Sequence, residues 1–245
     1  MAISLKEPLS IYQRVAETTP LLEQHPPYKL GMQGGGLKVP QDPSLDLSVY
    51  TVEIFLKTAR YADDEQRILV KGTGGYDYNW HTYINPNSNI IRVQIHSTVD
   101  SVLTYLDVPF EDDVPLQLAA SFERPDFVVY KNGAVHDSTV FDHPHSTTSA
   151  NLYIGIWRDE VSDPLFGELY HVRIYDRVLS LRELQHNLNN PLSPVRSGLR
   201  LWLAMLEGQG TTVADLSGYG NNATFIAGTI TWRNCAKHEV PASIT

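Results

Sequence analysis

The chain has 245 residues, 42% of them hydrophobic, and carries 19 Lys and Arg against 28 Asp and Glu, a net charge of −9. That length suits one large β-domain or two small ones, and the negative balance argues against general affinity for nucleic acid or an anionic membrane, both of which attract basic surfaces. The single cysteine, Cys235, excludes an internal disulfide and disfavours a disulfide-stapled secreted domain.

Residues 1–30 read as an extended arm. Pro8, Pro20, Pro26 and Pro27 interrupt its helix-compatible pieces, because proline fixes φ and removes a donor. Leu9, Ile11, Tyr12, Val15, Leu21 and Leu22 are apolar and need a receiving surface if the arm is ordered. A floppy tail is the alternative. The opening residues hold no basic stretch followed by an apolar run, so no secretory signal is expected. No window approaches the ~18 consecutive apolar residues of a membrane span.

From residue 34 the pattern changes to short alternating runs bounded by Gly, Pro, Asn or Asp. In 50–59, Val52, Ile54 and Leu56 fall on one face, with Thr51, Glu53 and Lys57 opposite. Runs at 66–72, 89–97, 101–108, 116–123 and 126–135 follow, a spacing that predicts an all-β sandwich or barrel. Asn132-Gly133 accepts the positive φ angles of a two-residue hairpin. One short helix is predicted over 180–188, where Ser180 and Glu183 have capping-box spacing. A second helix is not expected in the interior.

The stretch 72–89 concentrates Tyr76, Tyr78, Trp80 and Tyr83 among Asp77, Asn79, His81, Asn85 and Asn87. Period-two spacing puts Tyr76, Tyr78 and Trp80 on one face and Asp77, Asn79 and His81 on the other. Exposed, those rings are candidate stacking surfaces for sugars, with polar neighbours taking hydroxyls; the same spacing also fits aromatics in a core. Trp157, beside Arg158 and Asp159, is the other candidate glycan-binding ring. His143 and His145 in the polar stretch 136–146 are a possible transition-metal pair or a solvated loop.

Several segments resemble the laminin G-like, concanavalin A-like jelly rolls. The stretch 166–184, FGELYHVRIYDRVLSLREL, is similar to that family's closing strand and helix. Residues 34–58 resemble its opening strands, VVYKNGAV its Leu-Tyr-Val-Asn-Gly hairpin, and NLYIGIW its Leu-x-Ile-Gly strand. EGQGTTVADLSGYGNNATFIAGTITW (207–232) resembles the family's first hairpin, yet here it follows the closing helix. The resemblance implies a concanavalin A-like jelly-roll β-sandwich that is circularly permuted. Residues 31–232 then form a single domain, 198–232 supplying the first hairpin, and 233–245 remain as a tail. The alternative, a second domain after Gly198, would have too few residues to stand easily alone.

The family includes glycan binders, protein binders and polysaccharide hydrolases, and fold does not choose among them. Its laminarinase-type members place catalytic carboxylates on one strand as Glu-x-Asp-x-x-Glu, and that spacing is absent here; no enzyme is expected. The family's frequent structural Ca²⁺ implies oxygen ligands, for which Asp215, Asn221 and Asn222 are candidates. An Asx-type turn without an ion is the other reading. The Asp-Glu pair expected before Val-Arg-Ile-Tyr is Tyr170 and His171 here, which removes two oxygen ligands.

Two functions follow. One is a virion structural protein, a bacteriophage capsid-decoration or tail component assembled in the host cytoplasm. Its partners would be virion proteins, further copies of itself, and cell-surface glycans. The other is a free carbohydrate-binding lectin module. Neither nucleic acid nor membrane is expected as a partner.

Overall fold

A computed structural model describes residues 27–59, 64–74 and 77–235, which form sixteen strands and one α-helix. The strands before the helix begin with β1 (Tyr28–Gln33), β2 (Gly36–Val39), β3 (Tyr50–Thr58), β4 (Gln66–Gly74), β5 (Asp77–Ile84) and β6 (Ile90–Ser97). They continue as β7 (Val102–Pro109), β8 (Leu116–Glu123), β9 (Asp126–Lys131), β10 (Ala134–Val140), β11 (Leu152–Ile154) and β12 (Phe166–Tyr175). Helix α1 (Leu181–Asn189) is followed by β13 (Leu199–Leu203), β14 (Thr212–Val213), β15 (Ala223–Ile226) and β16 (Thr229–Asn234).

Two antiparallel sheets face one another. The first runs β10-β9-β8-β3-β12-β1-β16, with β13 pairing the far end of β12; the second runs β14-β15-β2-β11-β4-β5-β6-β7. Alternation decides what lies between them. Val52, Ile54 and Leu56 of β3 and Ile91, Val93 and Ile95 of β6 point inward into one continuous core with Leu118, Val172 and Leu201. Burying each such side chain contributes roughly 1.5–3 kcal/mol. This is the jelly-roll sandwich that the resemblance implies, and one of the two architectures that the alternating pattern allows.

Local signals act where they were read. Asn132 and Gly133 have φ of 50° and 74° and join β9 to β10 with Lys131 opposite Ala134. Ser180 caps α1, and both halves of the capping box with Glu183 are formed. The chain after α1 is woven into both sheets: β13 lies on β12, β15 on β2, and β16 on β1, with Leu30 opposite Trp232. Strand β1 begins at Tyr28 and β16 reaches Asn234, so the arm and tail read from the sequence each give up residues to the sheet. Leu9, Ile11, Tyr12, Val15, Leu21 and Leu22 lie outside the described residues.

On the outer face of the first sheet, Glu53 and Arg173 stand directly opposite across β3 and β12 and are fully buried. Glu53 accepts from Arg173 Nη1 at 3.0 Å, from Asn187 of α1 at 3.0 Å, and from Gln117. Arg173 also donates to the Pro191 carbonyl at 2.6 Å, and Asn187 accepts from the Val195 amide at 2.8 Å. A sheet face that would otherwise be wet is thereby sealed under the helix.

Candidate functional site

The outer face of the second sheet collects the polar and aromatic side chains that alternation turns away from the core. Strand pairing places Lys38, Tyr153, Val70, His81, Gln94 and Tyr105 in one row across β2, β11, β4, β5, β6 and β7. The adjacent row is Arg67, Tyr83, Arg92 and Asp107. With strands about 4.8 Å apart, Tyr105 stands roughly 10 Å from His81.

The expected common face of Tyr78 and Trp80 is corrected. Trp80 is inside the inter-sheet core, 3% exposed, with its ring edge-on to Tyr50 at 5.7 Å. Tyr78 instead stacks on His81 on the outer face, with centroids 4.8 Å apart and planes at 18°. Register shifts at Lys71/Gly72 and Gly72/Gly74 account for this: an extra residue in one strand breaks the period of two. Glycine is needed at position 72, where a Cβ would lie 2.4 Å from the Asp77 carbonyl and 2.6 Å from the Tyr78 ring. Asn79 is buried, donating to the Leu47 and Ser146 carbonyls. Tyr76 lies outside the described residues.

Trp157 joins the same face from the loop after β11. Its amide donates to the Ser162 carbonyl, and the Asp159 carboxylate accepts from the Val161 and Ser162 amides and the Ser162 hydroxyl at 2.6–2.9 Å. These donors hold the Asp159 carboxyl below its ordinary pKa. The turn presents a partly exposed indole above Tyr78 at 5.9 Å and His81 at 5.6 Å, with the Arg67 guanidinium 4.3 Å from its ring. At the β7 end of the row, Tyr105 is 45% exposed and carries the Arg92 guanidinium at 3.8 Å. Between them Gln94 donates to the Tyr83 hydroxyl at 3.2 Å. Burial pushes His81 down to about 3, helped by Arg67, and pushes His96 down to about 4. Both imidazoles are neutral at neutral pH.

Three cations of this face, Lys38, Arg67 and Arg92, are matched with carboxylates. Lys38 meets Glu160 at 2.6 Å, Arg67 meets Asp163 at 2.8 Å and also Glu65, and Arg92 forms a fork with Asp107 at 2.8 and 2.9 Å. The outward residues Arg92, Gln94 and Tyr105 were legible as alternating positions in 89–97 and 101–108, but no motif marks them. Elsewhere, a groove of about 550 Å³ on the first sheet is lined by Ser121, Glu123, Arg124, Asp126 and Tyr130 among others. Its ring, Tyr130, is only 7% exposed, and its hydroxyl is 3.2 Å from Ser121 Oγ. That groove offers no open aromatic surface.

The carboxylate proposed for Ca²⁺ is committed to the protein itself. Asp215 Oδ1 accepts from the amides of Trp202 and Ser217, both at 2.9 Å, and Oδ2 from the Ser217 hydroxyl at 2.7 Å and the Asn221 amide at 3.0 Å. Asn222 Oδ1 accepts from the Asp215 amide at 2.8 Å, and the Asn221 amide group donates to Ser44 and the Arg200 carbonyl. Oxygens so filled by N–H and O–H donors do not fit a cation; this is an Asx-type turn that ties the last hairpin to β13. His143 is 2.8 Å from Asp100 while His145 is 3.1 Å from Asn79, so the two do not converge on a metal.

A family model described as the Concanavalin A-like lectin/glucanases superfamily matches residues 31–185. The chain belongs to that superfamily. Strands β13 to β16 lie beyond the matched residues, yet they occupy the superfamily sandwich's two sheets. No curated protein matches the sequence. Among solved structures, a candidate carbohydrate-binding protein from Bacteroides ovatus is similar, with a TM-score of 0.66 and 16% identity; the alignment covers 86% of this chain and 60% of that one. A heptameric SAP-like pentraxin from Limulus polyphemus aligns over 88% of this chain and 97% of its own, with TM-score 0.56 and 13% identity. The CBM40 domain of the Ruminococcus gnavus IT-sialidase, bound to α2,3-sialyllactose, aligns over 66% and 98%, with TM-score 0.51 and 22% identity. At these identities the likeness is one of fold. No helix among the described residues is long and apolar enough to cross a membrane.

Proposed function

We propose that the protein is a non-enzymatic, lectin-like module that binds glycans on the outer face of its second sheet. The observation that carries this reading is a pair of solvent-accessible rings on one face, Trp157 standing over His81 and Tyr105 at the end of the row beyond Gln94. Ring faces stack on sugars while amide and guanidinium groups beside them take hydroxyls. The fold neighbours that bind carbohydrate agree with it. The carboxylates on this face, Glu65, Asp107, Glu160 and Asp163, are each paired to a cation, an arrangement unsuited to the unpaired acid and nucleophile of a retaining glycosidase.

Glycan-array screening of the full chain, followed by calorimetry on the strongest hit, tests the reading. Trp157→Ala and Tyr105→Ala are each expected to weaken binding about tenfold or more, with melting temperatures close to that of the parent. Binding unchanged by both substitutions, or no glycan bound at all, rejects it.

The same reading takes 31–232 as one permuted domain, supported by β15 lying on β2 and β16 on β1. A virion role, with capsid or tail proteins and further copies of the chain as partners, is a second reading. It is carried by the apolar arm residues from Leu9 to Leu22. Deleting residues 1–26 is expected to leave the sandwich folded and to abolish co-sedimentation with particles. A deletion that unfolds the domain removes this reading's support.

A further inference from the structure

Among the described residues, four cationic side chains line the outer face of the second sheet, and three are matched by carboxylates within 2.6–3.0 Å. Arg158 is the exception: among the described residues no carboxylate is in ion-pair reach of it, although Asp159 and Glu160 follow directly in sequence. The exposed Asp159 carboxylate is taken up by the Val161 and Ser162 amides and the Ser162 hydroxyl of its own turn, and Glu160 is drawn away to Lys38. The guanidinium does not drift free either. Its Nη2 lies 2.8 Å from where a Gly74 Cβ would be, it sits 5.5 Å from the Trp157 ring, and it is close enough to the Tyr78 hydroxyl to oppose the upward push of burial on that group. An exposed, positioned cation with no ion-pair partner among the described residues therefore stands at the edge of the aromatic platform.

We infer that the glycan taken by this face carries an anionic group, a carboxylate or a sulfate, which pairs with Arg158. The inference rests on the glycan-binding reading and narrows it to acidic sugars. The guanidinium fork matches either oxyanion with two parallel donors, and charge-assisted bonds of this kind are about twice as strong as neutral ones. The net charge of −9 gives the protein no general attraction for anions, so the preference must arise locally and fade as salt rises.

The test compares matched pairs on the full chain: 3′-sialyllactose against lactose, a glucuronate-containing oligosaccharide against its neutral analogue, and a sulfated against an unsulfated galactoside. An acidic member binding about tenfold more tightly than its neutral counterpart, with Arg158→Gln bringing the two to the same affinity, is the expected result. The carboxylated and sulfated arms show which oxyanion is used. Equal affinity for acidic and neutral members makes Arg158 a solvated surface arginine only and overturns the inference while leaving glycan binding intact. A preference that survives Arg158→Gln overturns it also. No binding to any member removes both the inference and the reading beneath it.

Discussion

Glu53→Ala is expected to destabilise the protein by about 3–5 kcal/mol, the range found when one member of a buried ion pair is removed. The residue is fully buried, and its carboxylate is the point where β3, β8, β12 and α1 meet. Without it the Arg173 guanidinium stays buried with only the Pro191 carbonyl as acceptor, and the Gln117 and Asn187 amides lose an acceptor. The penalty comes from the partners left behind more than from the attraction lost. Replacing Glu53 and Arg173 together by methionine is expected to restore the part of the stability lost to the stranded charge, while the Gln117 and Asn187 amides still lack their acceptor. Urea denaturation of the single and double variants measures both effects. A single variant within 1 kcal/mol of the parent, by the same order-of-magnitude scale, would show that water reaches the network in solution.

Stability is also expected to fall as pH drops from 6.5 toward 4, before most carboxylates titrate. His81 and His96 have pKa values pushed down to about 3 and about 4 by burial, while in the unfolded chain they titrate near the ordinary 6.5. Below pH 6.5 the unfolded state thus binds protons that the folded state refuses, so the stability of the folded state decreases as pH falls. Each histidine contributes a slope of up to about 1.4 kcal/mol per pH unit in that window. The groups facing His81 are Arg67, Tyr78, Tyr83, His96 and Trp157; none is an acid that would stabilise the imidazolium. Thermal melts at half-unit steps, with His96→Gln expected to remove one proton's share of the slope, provide the measurement. A flat profile between pH 6.5 and 5 would falsify the assignment of both rings as buried and neutral.

The architecture was legible because it depends on local patterns. Period two in 50–59, 89–97 and 116–123 hides Val52, Ile54, Leu56 and their counterparts only in a sandwich or a barrel, and the resemblance to the jelly rolls chooses the sandwich. Asn132-Gly133 and Ser180–Glu183 each encode a turn or a cap within four residues, so no distant contact can easily override them. The candidate site was legible only in part. Trp157 was found as a ring set among polar residues. Tyr78 and Trp80 were assigned one face by strict alternation, and nothing in DYNW announces the bulge opposite Gly72 that sends them to opposite sides.

What the sequence by itself determined is the class of fold, the sandwich's inward residues, the hairpin and the helix cap, since each follows from side-chain period or from backbone chemistry at single positions. What only the tertiary structure decided is which polar groups meet. Asp215 could be read as a metal ligand until the amides of Trp202, Ser217 and Asn221 were seen to fill its oxygens. Arg67, Arg92 and Arg158 are alike in sequence, and only strand register and the loop after β11 give the first two a carboxylate and leave the third with none in ion-pair reach among the described residues. Charge compensation is set by distances of a few ångströms between residues far apart in the chain, and such distances exist only once the sheets have formed.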